Sequence, residues 1–552
     1  MVVSARITSV EWSKSFYRPG EAAAATVAVH SQVEQPLPAR LSVQVTDLGQ
    51  PAGQLEQPVT LTGGDQSFSF SWDPPPVSPH GYGVDLRVQT PTGAILAQAS
   101  SAVDVLQRWT QMPRYGFLTD FAPGRLDAAS TMAGLVRYHL NALQFYDWMY
   151  RHDQFLTDQD PYDDPLGRRL SIKTVEALID AAHARGIDAM PYTAVYAASL
   201  EFYHAHPDWS MLGADGKTLF FGENFLVYMD PRPDSPWTRY LFGQFDQILE
   251  KSAFDGIHLD QYGGPKEAYD ASGRPYDLAG PLAEMIDATH QHVAALRPQG
   301  AVVFNAVTNW PIEKVAPSDE DIVYIEVWPP YTSFLDLEAL IRQGQALGRG
   351  KPVVLAAYID PALEHNVRLM EAIIFANGGG HIELGEKDDM LADAYFPRYG
   401  KMSPDLAELV RRDYEFAIRY QNATGPETRD ATPEYRGRIQ VGDVATEDNR
   451  DRGVVLPIVR TGGPATAVNL VNLLGLPSGE WKTPLPADPT RLGTTPVRIC
   501  GVSRAVRNVW IASPDSADLS LQAIPFKLDK DALSFQIPGL QYWDLILIQW
   551  EE

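Results

Sequence analysis

FDGIHLDQYG, residues 254–263, is the stretch on which the reading of this chain turns. Phe254, Ile257 and Leu259 make a half-apolar strand pattern that ends on a carboxylate, Asp260, and the Gly263-Gly264 pair beyond Gln261 and Tyr262 breaks regular structure. A strand that stops on an acid and hands over to a glycine-rich loop is how a parallel barrel presents a side chain at its catalytic face. A second run of the same kind, DIVYIEVWPP at 321–330, ends in Glu326, Trp328 and a proline pair. Either acid alone serves equally well to cap a helix or satisfy a loop amide. Two of them, 66 positions apart (326 − 260) and each followed by an aromatic ring, point towards carbohydrate chemistry.

Outward from these runs, residues 114–421 alternate strand-like and amphipathic helical segments, the signature of parallel β/α architecture. Strands are expected at 115–120, 142–148, 188–194, 254–260, 301–305, 322–328, 352–358 and 381–384, enough for a (β/α)₈ TIM barrel. Helix punctuation agrees. Ser235-Pro236, Ser333 and Ser403-Pro404 are N-terminal signals, and Gly186 suits the end of a helix that carries Val175, Leu178, Ile179 and Ala182 on one face. The connections 149–170 and 195–234 are long and are expected to wall a cleft. The first is acidic, but its spacing matches no calcium loop, and a solvated loop is expected with no metal or other cofactor.

The flanks are of another type. Residues 1–106 show short β-type runs divided by turn clusters and suggest an immunoglobulin-like β-sandwich, 107–424 is the catalytic barrel, and 425–552 returns to β-type segments that suggest a C-terminal antiparallel sandwich. A net charge of −25 argues against nucleic acid and anionic membrane surfaces as partners. A neutral ligand fits better, and 12 Trp and 24 Tyr supply the flat faces that suit sugar rings. Cys500, alone in the chain, excludes an internal disulfide or thiolate cluster. No P-loop, dinucleotide fingerprint, HExxH or GxSxG is present. The opening MVVSARITSV has no signal-peptide pattern.

Strand ends supply Asp120, Asp147, Asp260, Glu326, Asp360, Glu383 and Glu386, and glycoside hydrolysis needs two carboxyls, one protonated and one ionised. Position alone does not select the pair. FDGIHLDQYG, QFYDWMYRH (144–152), VFNAV (303–307), YIEVWP (324–329) and GGGHIELGE (378–386) together resemble the motif set of glycoside hydrolase family 66, which holds endo-dextranases and cycloisomaltooligosaccharide glucanotransferases. The resemblance implies a retaining enzyme acting on α-1,6-glucan (dextran) and isomaltooligosaccharides, with Asp260 as nucleophile and Glu326 as acid/base. Asp120, Tyr146, Asp147, Trp148, Tyr192, His258, Gln261, Asn305, Trp328, His381 and Glu383 are then the candidate substrate-binding residues. The cyclising transferases carry an extra carbohydrate-binding module within the barrel, and no insertion of about a hundred residues interrupts these eight strands, which favours dextranase. The alternatives are cyclising transfer, an α-glycosidase of another barrel family, and a non-catalytic glucan-binding protein. Because dextran does not enter cells, a secreted, extracellular enzyme is expected.

Overall fold

Period-2 alternation in the strand that carries Asp260 sets the architecture. The computed structural model describes residues 4–386, 389–393, 398–446 and 450–551. Eight short strands, β1 (Tyr115–Leu118), β2 (Ala142–Phe145), β3 (Asp188–Ala194), β4 (Gly256–Asp260), β5 (Ala301–Val307), β6 (Ile322–Glu326), β7 (Val353–Ala356) and β8 (Gly380–His381), form one parallel sheet in chain order. It closes on itself where the Phe117 N–H donates to the Leu384 carbonyl at 2.9 Å. In β4, Ile257 and Leu259 join the apolar layer shared with the surrounding helices, while His258 packs inside the barrel against Tyr115 and Tyr324. Asp260, two residues on, keeps that inward face at the barrel's mouth. Gly256 is obligatory, since a Cβ there would lie 2.0 Å from the Ala301 carbonyl oxygen.

Helices α1 (Ala128–Val136), α2 (Ile172–His183), α3 (Pro236–Lys251), α4 (Ala279–Leu296), α5 (Phe334–Leu347), α6 (Glu364–Ala376) and α7 (Pro404–Thr424) wrap the sheet, with a short helical turn, Ile312–Val315, between β5 and β6. Ser235, Ser333 and Ser403 each accept a first-turn N–H, a cap worth about 1 kcal/mol. α3 buries Trp237, Leu241, Phe245, Ile248 and Leu249 on one face, each contributing roughly 1.5–3 kcal/mol. Strand ends fall short of the expected limits at Leu118, Phe145, Glu326 and Ala356, because the chain leaves the ladder there to line the mouth; Asp147 sits at φ +50°, a left-handed backbone.

Before the barrel, Ser4–Trp12, Ala23–Gln32 and Gly64–Trp72 form one antiparallel sheet, and Gln50–Leu61, Leu37–Asp47, His80–Gln89 and Ile95–Val105 another. After it, sheets of six and four strands carry the C-terminal part. α7 is the strut between all three. Its Arg419, almost fully buried, pairs with Asp85 at 2.7 Å, and its Glu415 accepts from Ser101 at 2.7 Å. On the other side Arg460, fully buried, donates to the carbonyls of Asn377 (2.8 Å), just past α6, and of Gly425 (3.2 Å) and Thr428 (2.7 Å), just past α7. Burial lowers that guanidinium to about 10, so it remains charged and complements two helix C-termini. Among the described residues no helix is long and apolar enough to cross a membrane.

Candidate active site

The C-terminal mouth of the barrel opens into a cleft of about 540 Å³, floored by Asp260, Asn305 and Glu326 and walled by the two long connections. From the first come Met149, His152, Asp164, Pro165 and Leu166; from the second come Phe221, Gly222, Phe225 and Leu226. Leu166 and Phe225 are also partly exposed to solvent, so the rim is apolar above a polar floor.

Asp260 ends β4, Glu326 ends β6, and Asn305 ends the inward series of β5 between them. The Asn305 amide nitrogen donates to Asp260 Oδ1 at 2.7 Å and to Glu326 Oε2 at 2.9 Å. Those two oxygens therefore lie no further apart than the two bonds laid end to end, about 5.6 Å. Tyr192 donates its hydroxyl to Asp260 Oδ2 at 2.8 Å, completing a grip on both oxygens of that carboxyl. Asn305 Oδ1 is buried and meets no donor among the described residues, which leaves it available to a hydroxyl placed in the cleft.

Burial and then the neighbouring Glu326 charge push Asp260 up to about 8, against which the donors Tyr192, Asn305 and the Gln261 backbone N–H pull down. Burial raises Glu326 as well, opposed by donors from Asn305, Trp328 and Tyr358. Near neutral pH the pair thus holds a proton. Both carboxyls are raised by burial, whereas a nucleophile must be ionised. The two oxygens share one amide, so the proton belongs to the pair and its location follows what the cleft contains. Asp260 holds its proton in the folded protein far above its usual 3.8, so its contribution is complete below about pH 4 and is lost as pH rises through about 8. Asp260→Asn, neutral throughout, should gain stability over the wild type between those limits, by roughly 1–3 kcal/mol at pH 8. Thermal melts at pH 4 and pH 8 read this directly, and an equal Tm difference at both would refute it.

The other expected residues divide. Tyr146, Asp147, Tyr192, Gln261, Asn305 and Trp328 line the cleft. Asp147 is raised to about 7 by burial, opposed by Arg168, whose guanidinium also donates to the Asp147 carbonyl at 3.0 Å. Gln261 faces the cleft but holds loops together, donating to the carbonyls of Asn305 (3.2 Å) and Trp310 (3.3 Å). Trp148 does not complete a sugar platform. The turn at Asp147 sends it behind the wall, fully buried, where its indole donates to the Tyr192 carbonyl and packs on Phe254.

His258 also lies outside the cleft, beneath Asp260, bonded to the Tyr115 hydroxyl at 2.9 Å and held below the usual histidine range, at about 3, by burial. His381 and Glu383 sit between the barrel and its helices, fully buried, with His381 Nδ1 2.8 Å from Glu371 and 3.2 Å from Glu383 and the Tyr414 hydroxyl donating to Glu383. They form a buried charge network and not a sugar contact. Their ligand atoms approach within 4.8 Å of one another, the grouping among the described residues that comes nearest to a metal set, but His381 Nδ1 is already engaged. Asp120 is exposed, its carboxylate accepting the Ala122 N–H, while Glu386 accepts the N–H groups of Thr119 and Asp120 and Asp360 that of Ala362. The acidic first connection is likewise engaged locally: Asp164 with Arg168, Asp160 with the Ile172 N–H and Lys173, and Asp153 with the Ser199 N–H.

Residues that strand-end reasoning passed over are Tyr262, Tyr324 and Tyr358, which line the cleft, and the Phe221 and Phe225 pair. The aromatic run TLFFGENF at 218–225 carried a signal for the last two.

Known proteins match this chain along its length. It is 24% identical to a cycloisomaltooligosaccharide glucanotransferase of Niallia circulans, covering 99% of this chain and 72% of that protein. It is 22% identical to a dextranase of Streptococcus salivarius, covering 85% of this chain and 67% of that one. In three dimensions it superposes on a Paenibacillus cycloisomaltooligosaccharide glucanotransferase, solved with cycloisomaltoheptaose, with a TM-score of 0.92 at 22% identity, over 99% of this chain and all of that one. The model of glycosyl hydrolase family 66 matches residues 12–547, a span that takes in both sandwiches and the barrel with its paired acids, and the chain belongs to that family.

Proposed function

We propose that this protein is an endo-acting dextranase that cleaves α-1,6-glucosidic bonds by double displacement. The carrying observation is the single Asn305 amide that ties Asp260 to Glu326 across at most about 5.6 Å at the floor of the cleft. Retaining pairs stand about 5–5.5 Å apart, against roughly 6.5–9.5 Å where a water must fit between the acids. Asp260 attacks the anomeric carbon as Glu326 gives its proton to the departing glycosidic oxygen; Glu326 then takes a proton from water, whose oxygen displaces the Asp260 ester. Seating the glycosidic oxygen beside Glu326 draws the shared proton to that side and leaves Asp260 ionised. The cleft's continuation past Trp328 into a second cavity supports attack within a chain, not at its end. Dextran's size places the action outside the cell.

Incubation with dextran tests this reading. Endo-cleavage lowers viscosity well before reducing ends accumulate, with the α-configuration retained by NMR at first cleavage; an inverted product would refute it. Cyclising transfer is the second reading, favoured by the glucanotransferases among the relatives, and its products carry no reducing end. Asp147, on a strained backbone at the cleft wall, is assigned to orienting sugar. Asp147→Asn should therefore lower kcat and raise KM together, each by about tenfold. A variant unchanged in both would make Asp147 structural.

A further inference from the structure

Past Trp328 the cleft opens into a cavity of about 610 Å³ whose lining includes Tyr262, Thr308, Trp328, Tyr358, Asp393 and Lys482. Tyr262, Val307, Trp328 and Tyr358 belong to both cavities, so the two adjoin across these side chains. Lys482 is the exception in origin: it comes from the C-terminal sandwich, in the connection between strands Thr466–Asn472 and Thr495–Cys500.

That connection is fastened to the barrel's catalytic loops. Trp481 is buried and donates its indole N–H to the Tyr331 carbonyl (3.2 Å) and its backbone N–H to that of Thr332 (3.0 Å). Phe334, opening α5, donates its N–H to Gly479. Asn366 of α6 donates to the carbonyls of Trp481 (3.0 Å) and Thr483 (2.8 Å) and accepts the Leu485 N–H (3.1 Å). Lys482 is thereby held on a rigid support, its ammonium 5.8 Å from the Trp328 ring centre and 4.7 Å from that of Trp481. With the backbone beneath it so tightly sewn, this exposed lysine brings its own side-chain freedom, but not the loop's, to the cost of meeting a ligand.

Trp328 fixes which side of the scissile bond this is. It stands two residues beyond Glu326, lines the cleft beside that acid, and is among the groups that oppose the upward push of burial on its carboxyl. A general acid faces the leaving oxygen, so the departing sugar lies on Glu326's side of the pair. An aromatic face with a cation and a carboxylate beside it matches a sugar ring and its hydroxyls; an anion would meet Asp393 and a net charge of −25.

We propose that this second cavity seats the leaving-group sugar and the acceptor sugar that replaces it, with Lys482 of the C-terminal sandwich donating to its hydroxyls, so that this domain sets the ratio of transfer to hydrolysis. The inference rests on the double displacement proposed above. In the transfer step the acceptor hydroxyl oxygen bonds to the anomeric carbon, the bond from that carbon to the Asp260 carboxylate breaks, and the hydroxyl proton passes to Glu326.

The test uses the full-length protein with α-isomaltotriosyl fluoride as donor and isomaltose as acceptor, and reads the isomaltose concentration that gives half-maximal transfer. Lys482→Ala should raise that concentration about fivefold or more, as loss of a charged hydrogen-bond donor does, and Lys482→Arg should stay within about twofold of the wild type. Lys527→Ala, in the same sandwich but in neither cavity, should not move it. A half-saturation unchanged in Lys482→Ala, or raised equally by Lys527→Ala, overturns the proposal, as does a wild type that transfers nothing to isomaltose while still releasing fluoride. Absence of fluoride release from the wild type would instead defeat the dextranase reading itself.

Discussion

Asp260→Gly is expected to be inert on every substrate, with kcat down on the order of 10⁴-fold or more, because in the double displacement proposed above its carboxylate is the group that bonds to the anomeric carbon. The expectation is sharper than for a general acid, since changing the leaving group does not help when the bond-forming atom is missing. The Asn305 amide and Tyr192 hydroxyl that grip Asp260 would remain, so the substrate should still bind. Trapping with a slow fluorinated donor supplies the positive control: in the wild type the sugar should be recovered on the peptide that contains Asp260. Label on Asp147 or Glu326 would overturn the assignment.

Glu326→Gln should behave differently. Turnover of dextran should fall roughly 10²–10⁴-fold, the range for loss of general acid catalysis, while a glucosyl fluoride, whose leaving group needs no proton, should be largely spared, and azide should recover part of the lost rate. This variant also removes the charge that, after burial, does most to raise Asp260. The Asp260 carboxyl should then ionise more readily, and the acid limb of kcat/KM for the fluoride should move to lower pH. A limb that stays in place would show that burial alone sets the Asp260 proton.

How far the sequence carried this reading depends on the distance over which each residue acts. The eight strands were legible because period-2 alternation and a closing loop signal are local, and β3 appears at its expected limits, Asp188–Ala194. Asn305 stood out because it ends a strand between two acid-bearing strands. Trp148 and Glu383 were misplaced for one physical reason, that strand-end alternation stops predicting a side chain's direction once the backbone leaves the ladder, whereas His381 is still paired with Leu355 and shares that residue's helix-facing side. Asp147 leaves it at φ +50°, and the chain after His381 turns its acid outward to α7. His258 failed otherwise, since its face was right but its depth was not. Of the seven strand-end acids, Asp147, Asp260 and Glu326 line the cleft; Asp120, Asp360 and Glu386 instead tie down loop N–H groups. Lys482 had no local signal, because a loop 156 positions beyond Glu326 (482 − 326) delivers it through contacts that only the folded chain creates.

Arg460 bears on how small a working enzyme can be made from this chain. A barrel trimmed at residue 424 looks attractive, as it keeps the paired acids and both long connections. Such a cut removes the guanidinium that gathers the Asn377, Gly425 and Thr428 carbonyls, and it bares the close approach at Gly378, where even a Cβ would come within 2.6 Å of the Thr424 oxygen. The end of α6 would lose its counter-charge and the end of α7 its anchor, and α7 is the same rod that Arg419 and Glu415 fix to the first sandwich. Gene-shortening for production therefore has to stop at exposed loops within the sandwiches, because the chain's three parts meet on one helix and are not separable cassettes.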